Sequence, residues 1–156
     1  MKTIIIVVSA AAMIVAYLIF HGNENRSDES NHSPEGIRFE HLNWDEALAM
    51  AQKEKKLVFL DAYASWCGPC KMLKNKTFPD EKVGAFFNQH FVSIAVDMEK
   101  GEGPLLARHF EVSAYPTLII TDPQGNLITE ARGFMPPRDL LAFGKYGVQK
   151  AGKYNP

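Results

Sequence analysis

The chain has 156 residues with a formal net charge of −1, and 46% of its residues are hydrophobic. A charge this close to zero gives no case for nucleic-acid binding or for broad electrostatic attraction of a partner. With only two cysteines, the chain can form at most one internal disulfide.

The N-terminal segment from Thr3 to Phe20 carries no charged residue and follows only Lys2 and the terminal amine. As a helix rising about 1.5 Å per residue it would span roughly 27 Å, close to a bilayer core of about 30 Å. It is long for a signal peptide and ends without an Ala-x-Ala site, so residues 1–20 are predicted to be an uncleaved signal-anchor transmembrane helix, with a cleaved signal peptide as the alternative. Either would export the domain. The positive N-terminus would remain cytoplasmic. We therefore expect a single-pass protein of the cell inner membrane, with its catalytic domain in the periplasm or extracytoplasmic space.

A polar segment, residues 21–36, follows the apolar run and contains no aliphatic side chain. It cannot bury enough apolar surface to order itself, so we expect a flexible linker. The remaining residues, 37–150, are the size of one ordinary domain with its own core. We expect this domain to be a monomer.

In the first half of the domain, apolar residues at helical spacing alternate with short continuous apolar runs. The capping residue Asn43, with acids in the first turn after it, marks the start of the first helix. The expected elements are a strand at 37–39, a helix from Asn43 to about Lys53, a strand at 57–63, a helix opened by the cysteine pair, a break at 77–80, a helix at 81–90 and a strand at 91–96.

The second half changes pattern, because the turn sequence Asp122-Pro123-Gln124-Gly125 separates two short apolar runs and favours an antiparallel hairpin. Strand and helix alternation followed by a hairpin predicts an α/β fold, with a mixed central β-sheet flanked by helices. The expected elements are a loop at 99–104, a helix at 105–110, strands at 117–120 and 126–129, a hairpin end at Gly133 and a final helix beginning at 138–144.

Both cysteines lie in the run Trp66-Cys67-Gly68-Pro69-Cys70, directly after the strand at 57–63. A cysteine at a helix N-terminus faces unpaired backbone N–H groups and the positive end of the helix dipole, which lower its pKa and favour the reactive thiolate. Cys67 is therefore the candidate nucleophile. Cys70 lies one helical turn further on and is the candidate resolving thiol.

Other uses of the cysteine pair fit the sequence less well. A structural disulfide here would close only a very short loop and constrain the unfolded chain little. Zinc usually needs about four ligands, and the five histidines are scattered, with no short His-x-x-x-His spacing. Copper(I) binding by the thiol pair remains open, since thiolates suit that ion.

The run from Asp61 to Lys71, together with Tyr115-Pro116-Thr117, resembles the thioredoxin superfamily over about residues 37–148. Two further segments, Thr77-Phe78-Pro79-Asp80 and Gly133-Phe134-Met135, look closer to the C-terminal periplasmic domain of the thiol:disulfide interchange proteins, DsbD, than to cytosolic thioredoxin. The resemblance implies a thioredoxin fold, a Cys67–Cys70 disulfide and redox chemistry that requires no cofactor or metal.

The resemblance also assigns roles near the cysteines. Cys67 matches an exposed nucleophile and Cys70 a buried resolving thiol, with Trp66 as the flanking aromatic. Gly68 and Pro69 match the intervening pair of reducing thioredoxins.

Asp61 matches a buried acid that assists proton transfer at the resolving thiol. Desolvation raises the pKa of a carboxyl and suits it to that role, although an Asp at a strand end can instead serve a turn. Cytosolic thioredoxins pair this acid with a lysine, whereas the strand at 91–96 offers Ser93 or an apolar residue. The active-site helix also lacks the central proline familiar from thioredoxin.

Three residues downstream complete the implied site. Pro116 matches a cis-proline that faces the cysteines and leaves the neighbouring backbone free to pair with an extended substrate. Tyr115 would line the substrate groove or pack in the core. Gly133 would allow close approach of a peptide or serve a turn.

The expected function is reduction of disulfides in extracytoplasmic proteins. DsbD passes electrons through a multi-helix membrane domain, so the resemblance also implies a separate membrane thiol donor for this chain. The alternatives are a dithiol oxidase or isomerase in secreted-protein folding, a copper(I)-binding protein or a redox-inert peptide-binding module.

Overall fold

The computed structural model describes residues 36–154. The predicted anchor at 1–20 and the linker before residue 36 lie outside this range. Within 36–154, no helix is long and apolar enough to cross a membrane. The elements are α1 (Trp44–Glu54), β1 (Leu57–Tyr63), α2 (Gly68–Met72), a π-helical turn (Leu73–Thr77), α3 (Glu81–His90), β2 (Phe91–Asp97), α4 (Gly103–His109), β3 (Thr117–Thr121), β4 (Leu127–Arg132) and α5 (Pro137–Tyr154).

The four strands form a mixed sheet, as predicted, and their order is β2-β1-β3-β4. Strand β1 is parallel to β2 and antiparallel to β3, which in turn is antiparallel to β4. A parallel pair needs a long crossover, and here α2, the π-helical turn and α3 supply it. The central position of β1 explains its continuous apolar run, since both faces of the strand are covered.

Helices cover the sheet on both faces, and side chains of β1 alternate between the two cores. Val58 and Leu60 point into a core shared with α1 and α4. Phe59 points the other way, into an aromatic core shared with the π-helical turn, α3 and α5. Asp61, two residues after Phe59, therefore lies on the same face as the helices that follow the cysteines.

The predicted strand at 37–39 is reduced to a single bridge between Phe39 and Ser93. Its backbone groups bond elsewhere: Ile37 N–H donates to the carbonyl of Phe78 (2.8 Å), and Arg38 N–H donates to Asn88 Oδ1 (2.8 Å). The segment is thus fastened to α3 and the loop before it rather than paired along β2.

The domain extends slightly beyond the predicted 37–150 at both ends. Gly36 is buried, and its carbonyl accepts a hydrogen bond from Asn88 Nδ2 (3.0 Å). Helix α5 continues to Tyr154, well past the stretch in which it was predicted to begin. Gly144 and Gly147 lie against Phe87 and Ile120, where an added Cβ would be too close to those side chains. These glycines disfavour a helix locally but allow α5 to pack closely on the sheet and α3.

Candidate functional site

The cysteine pair lies at the junction of β1 and α2. Cys67 is the N-cap of α2, and its Sγ accepts a hydrogen bond from the backbone N–H of Cys70 (3.1 Å). Pro69 occupies the first turn, where its fixed φ suits a helix and its missing N–H is not needed. The prediction that the pair opens a helix is confirmed, and the two residues form a disulfide.

The two cysteines are buried to a similar extent, whereas the resemblance implied that Cys67 is exposed and Cys70 buried. Cys67 is 2% exposed and Cys70 is 6% exposed, so the expected exposed nucleophile is buried in the disulfide form. The reason is local packing, because both residues cluster with Ala64 beneath Tyr63 and Tyr115. Trp66, Gly68 and Pro69 beside the cysteines are exposed, and Trp66 has 67% of its surface accessible.

Asp61 is buried beside the cysteines at 5% exposure. Among residues 36–154, no group donates a hydrogen bond to its Oδ1 atom. Burial raises the pKa of Asp61 from 3.8 to about 7. A carboxyl with that pKa can both accept and release a proton near neutral pH.

A cleft of about 520 Å³ connects Asp61 with Cys70, since both residues line it. Lys71 and Lys74 of the active-site helix line the same cleft and are exposed. Burial is the sole cause of the raised pKa of Asp61. The position opposite Asp61 on β2 carries no lysine, because Asp61 is paired with Ala95. Ser93, which is also buried, is paired with Phe59.

The active-site helix continues as a π-helical turn without the central proline of thioredoxin. Thr77, at the end of this turn, is fully buried and donates its hydroxyl to the carbonyl of Met135 (2.6 Å). This bond joins the two segments that carry the DsbD resemblance, 77–80 and 133–135. Nothing in the sequence predicted their contact, because they lie far apart in the chain.

A second loop, which contains Tyr115 and Pro116, faces the cysteine cluster. The Tyr115–Pro116 peptide bond is cis, as the resemblance implied. Gly133 donates its N–H to the carbonyl of Pro116 (2.8 Å) and has φ +92°. Glycine adopts this left-handed backbone conformation more readily than other residues, which explains why glycine suits this position. A Cβ at Gly133 would meet no atom within 4 Å, so this side of the loop is open.

Trp66 and Tyr115 contact each other across the two loops, with ring centroids 5.9 Å apart and planes at 72°. The indole Nε1–H donates to Glu99 Oε2 (3.0 Å). Glu99 belongs to a segment that the sequence predicted only as a loop, and its role depends on a contact that no local pattern shows.

In the part of the chain that the structure describes, no group of three or more His, Cys, Asp and Glu side chains could hold a metal ion.

The family is decided by a match to the thioredoxin-like domain model over residues 44–147, well over half of the chain. The chain belongs to the thioredoxin-like family. This thioredoxin-like protein is 39% identical over 95 residues to the thiol:disulfide interchange protein DsbD of Yersinia pestis, covering 59% of this chain and 16% of that protein. It therefore spans about a sixth of the length of the curated relatives it matches.

Solved structures agree with this assignment. A candidate disulphide-isomerase from Bacteroides thetaiotaomicron is 43% identical with a TM-score of 0.67, covering 74% of this chain and 95% of that one. The reduced C-terminal domain of DsbD from Neisseria meningitidis is 25% identical with a TM-score of 0.56, covering 65% and 91%. The resemblance to the DsbD C-terminal domain is thus confirmed.

Proposed function

We propose that this protein is an extracytoplasmic thiol:disulfide oxidoreductase that reduces protein disulfides through Cys67 and Cys70. The observation that carries the proposal is the shared cleft, in which a buried carboxyl with a pKa of about 7 lies with the resolving cysteine at a helix N-terminus. The names of the relatives, thiol:disulfide interchange protein and disulphide-isomerase, support the same chemistry.

The cycle begins with the reduced pair. The Cys67 thiolate attacks one sulfur of a substrate disulfide, forms a mixed disulfide and expels the first substrate thiolate. Asp61 then accepts the proton of Cys70, and the resulting thiolate attacks Cys67 Sγ and expels the second substrate sulfur as a thiolate. Asp61 returns this proton to one substrate thiolate, and solvent water protonates the other. Two electrons pass from the enzyme pair to the substrate, which leaves as a dithiol.

Substrate binding is assigned to the second loop. The resemblance assigns Pro116 to the backbone that pairs with an extended substrate, and the open space at Gly133 allows such a segment to approach. Trp66 and Tyr115 supply apolar surface beside it.

The cycle leaves Cys67 and Cys70 oxidised, so a donor must return two electrons. We assign this role to a separate membrane thiol protein and the substrates to extracytoplasmic proteins that contain disulfides. The charge-free run at 3–20 supports an anchor that exports the domain. A fusion of a periplasm-dependent reporter enzyme after residue 154 tests the orientation: activity supports export, and an inactive, stable fusion contradicts it.

Insulin reduction by dithiothreitol-recharged protein tests the two-thiol cycle. Wild type should turn over, whereas Cys67→Ser should be inactive and Cys70→Ser should stop at the mixed disulfide. Full turnover by Cys70→Ser would contradict the cycle. Copper(I) binding without turnover would favour the carrier alternative.

The direction of electron flow is tested by equilibrating the pair in graded glutathione buffers. A reductase requires a cysteine pair with a low reduction potential, close to the thioredoxin value of about −270 mV. Such a pair becomes oxidised in weakly reducing buffer. A strongly oxidising pair would instead support an oxidase. The isomerase alternative, favoured by the relative's name, predicts re-pairing of a scrambled protein without net reductant.

A further inference from the structure

The most exposed aromatic side chain of the site is held by a bond that the cycle above does not use. Trp66 has 67% of its surface accessible, yet its indole N–H donates to Glu99 Oε2 at 3.0 Å. Without this bond, a large ring on an exposed loop would sample several rotamers. A substrate that fixed the ring in one rotamer would then bind more weakly, because the ring would lose conformational entropy.

Glu99 is itself held in place by a turn. Asp97 Oδ1 accepts the backbone N–H of Glu99 (3.1 Å), and Asp97 Oδ2 forms an ion pair with Lys100 (3.1 Å). Met98 N–H donates to the carbonyl of Tyr63 (2.8 Å), which fastens the turn to the end of β1. The carboxylate of Glu99 is thereby presented from a fixed backbone.

The indole connects this turn to the opposite loop. Its ring meets Tyr115 edge to face at 5.9 Å, and Tyr115 precedes the cis Pro116 and packs on the cysteine cluster. Burial, followed by the negative charges of Glu99 and Asp97, raises the pKa of Tyr115, so this hydroxyl stays neutral and the ring pair is undisturbed at physiological pH.

We propose that Glu99 is a positioning residue for substrate recognition. Its carboxylate fixes the indole of Trp66 against Tyr115, so that the two rings form a preorganised wall of the groove beside Cys67. The inference rests on the proposed function, since a fixed wall matters only if an extended disulfide substrate binds there. It assigns Glu99 no part in the electron transfer itself.

The first test reads the indole directly. The two tryptophans give two indole Nε1–H signals in a nitrogen-proton spectrum of the folded protein, and Trp66→Phe identifies the one from Trp66. Glu99→Ala should shift that signal and speed its exchange with solvent, whereas the Trp44 signal stays in place. Glu99→Gln keeps an acceptor oxygen and should restore both properties.

The second test separates positioning from chemistry. Glu99→Ala should raise KM for a peptide disulfide about 3- to 10-fold, the cost of ordering one free side chain on binding. Its kcat and its rate with a small aromatic disulfide should stay within about 2-fold of wild type, because neither needs the wall. Glu81→Ala is the matched control, since this exposed acid in α3 forms no side-chain hydrogen bond or ion pair with the residues that the structure describes.

Two outcomes would overturn the inference. An unmoved Trp66 signal in Glu99→Ala would show that the bond does not hold the ring. A Glu99→Gln variant as defective as Glu99→Ala would show that charge, not hydrogen bonding, matters. Failure of wild type to reduce any disulfide would defeat the proposed function while leaving the spectroscopic result interpretable.

Discussion

The two halves of strand β1 lie in different surroundings. From Val58 to Leu60 every side chain is buried among apolar neighbours, and the Phe59 ring meets Phe87 at 4.9 Å. At Asp61 the same strand carries a buried carboxyl whose Oδ1 receives no hydrogen bond from the described residues. A buried polar group without a hydrogen bond opposes folding, whereas a closely packed aromatic core stabilises the folded state. The difference indicates that the first half stabilises a strand whose second half carries the buried carboxyl that we propose transfers protons.

The largest expected effect comes from weakening the apolar half. Phe59→Ala should lower the free energy of unfolding by about 3–5 kcal/mol, because it leaves a cavity among Phe78, Phe87 and Phe91. Urea unfolding of the oxidised protein measures the loss, and Phe59→Leu, expected to cost less, is the control. The redox potential of folded Phe59→Ala should equal that of wild type. A shifted potential would contradict the separation of the two halves.

The next effect concerns the pH dependence of stability at Asp61. The native carboxyl keeps its proton up to about pH 7, whereas the unfolded one releases it near 3.8. The unfolded state therefore binds fewer protons between these values, and stability should fall as pH rises through this window, by about 4 kcal/mol in all.

Asp61→Asn removes this titration. It should flatten the pH profile of urea unfolding and be about 2 kcal/mol more stable than wild type at pH 8, because no charge is buried. It should also slow insulin reduction, since Cys70 loses its proton acceptor. An unchanged pH profile in Asp61→Asn would mean that another group carries the titration.

The smallest expected effect concerns Ser93, a second buried polar residue, on the neighbouring strand β2. Ser93 is paired with Phe59 in register, and its buried Oγ has no hydrogen-bond partner among residues 36–154. Ser93→Ala should raise the free energy of unfolding by up to about 1 kcal/mol, since a hydroxyl without a partner is removed. The pH profile should keep its wild-type shape. A large loss of stability would show that Ser93 has a hydrogen bond in solution.

The elements predicted most accurately are those with strong local patterns. Strand β1 has the predicted bounds 57–63 because a central strand covered on both faces opens with a continuous apolar run, and α3 has the predicted bounds 81–90. Its start is marked by Asp80, which accepts the backbone N–H of Val83 (3.0 Å). The strand predicted at 37–39 failed because three residues cannot specify whether their N–H groups bond a strand or a neighbouring helix.

At the site, the local sequence was enough for the part built on adjacent residues. Cys67 caps a helix because Pro69 favours a helix start, and Cys70 follows one turn later by the geometry of that helix. These features depend on backbone preferences within five residues. They required no knowledge of the rest of the chain.

Tertiary structure alone decided the rest. The burial that raises the pKa of Asp61, the burial of Cys67 beneath Tyr115, and the bond from Trp66 to Glu99, 33 residues away, all arise from packing between distant segments. Desolvation and long-range hydrogen bonds depend on which surfaces meet. The chain's local pattern therefore determined where its reactive sulfurs lie, and the fold determined their surroundings.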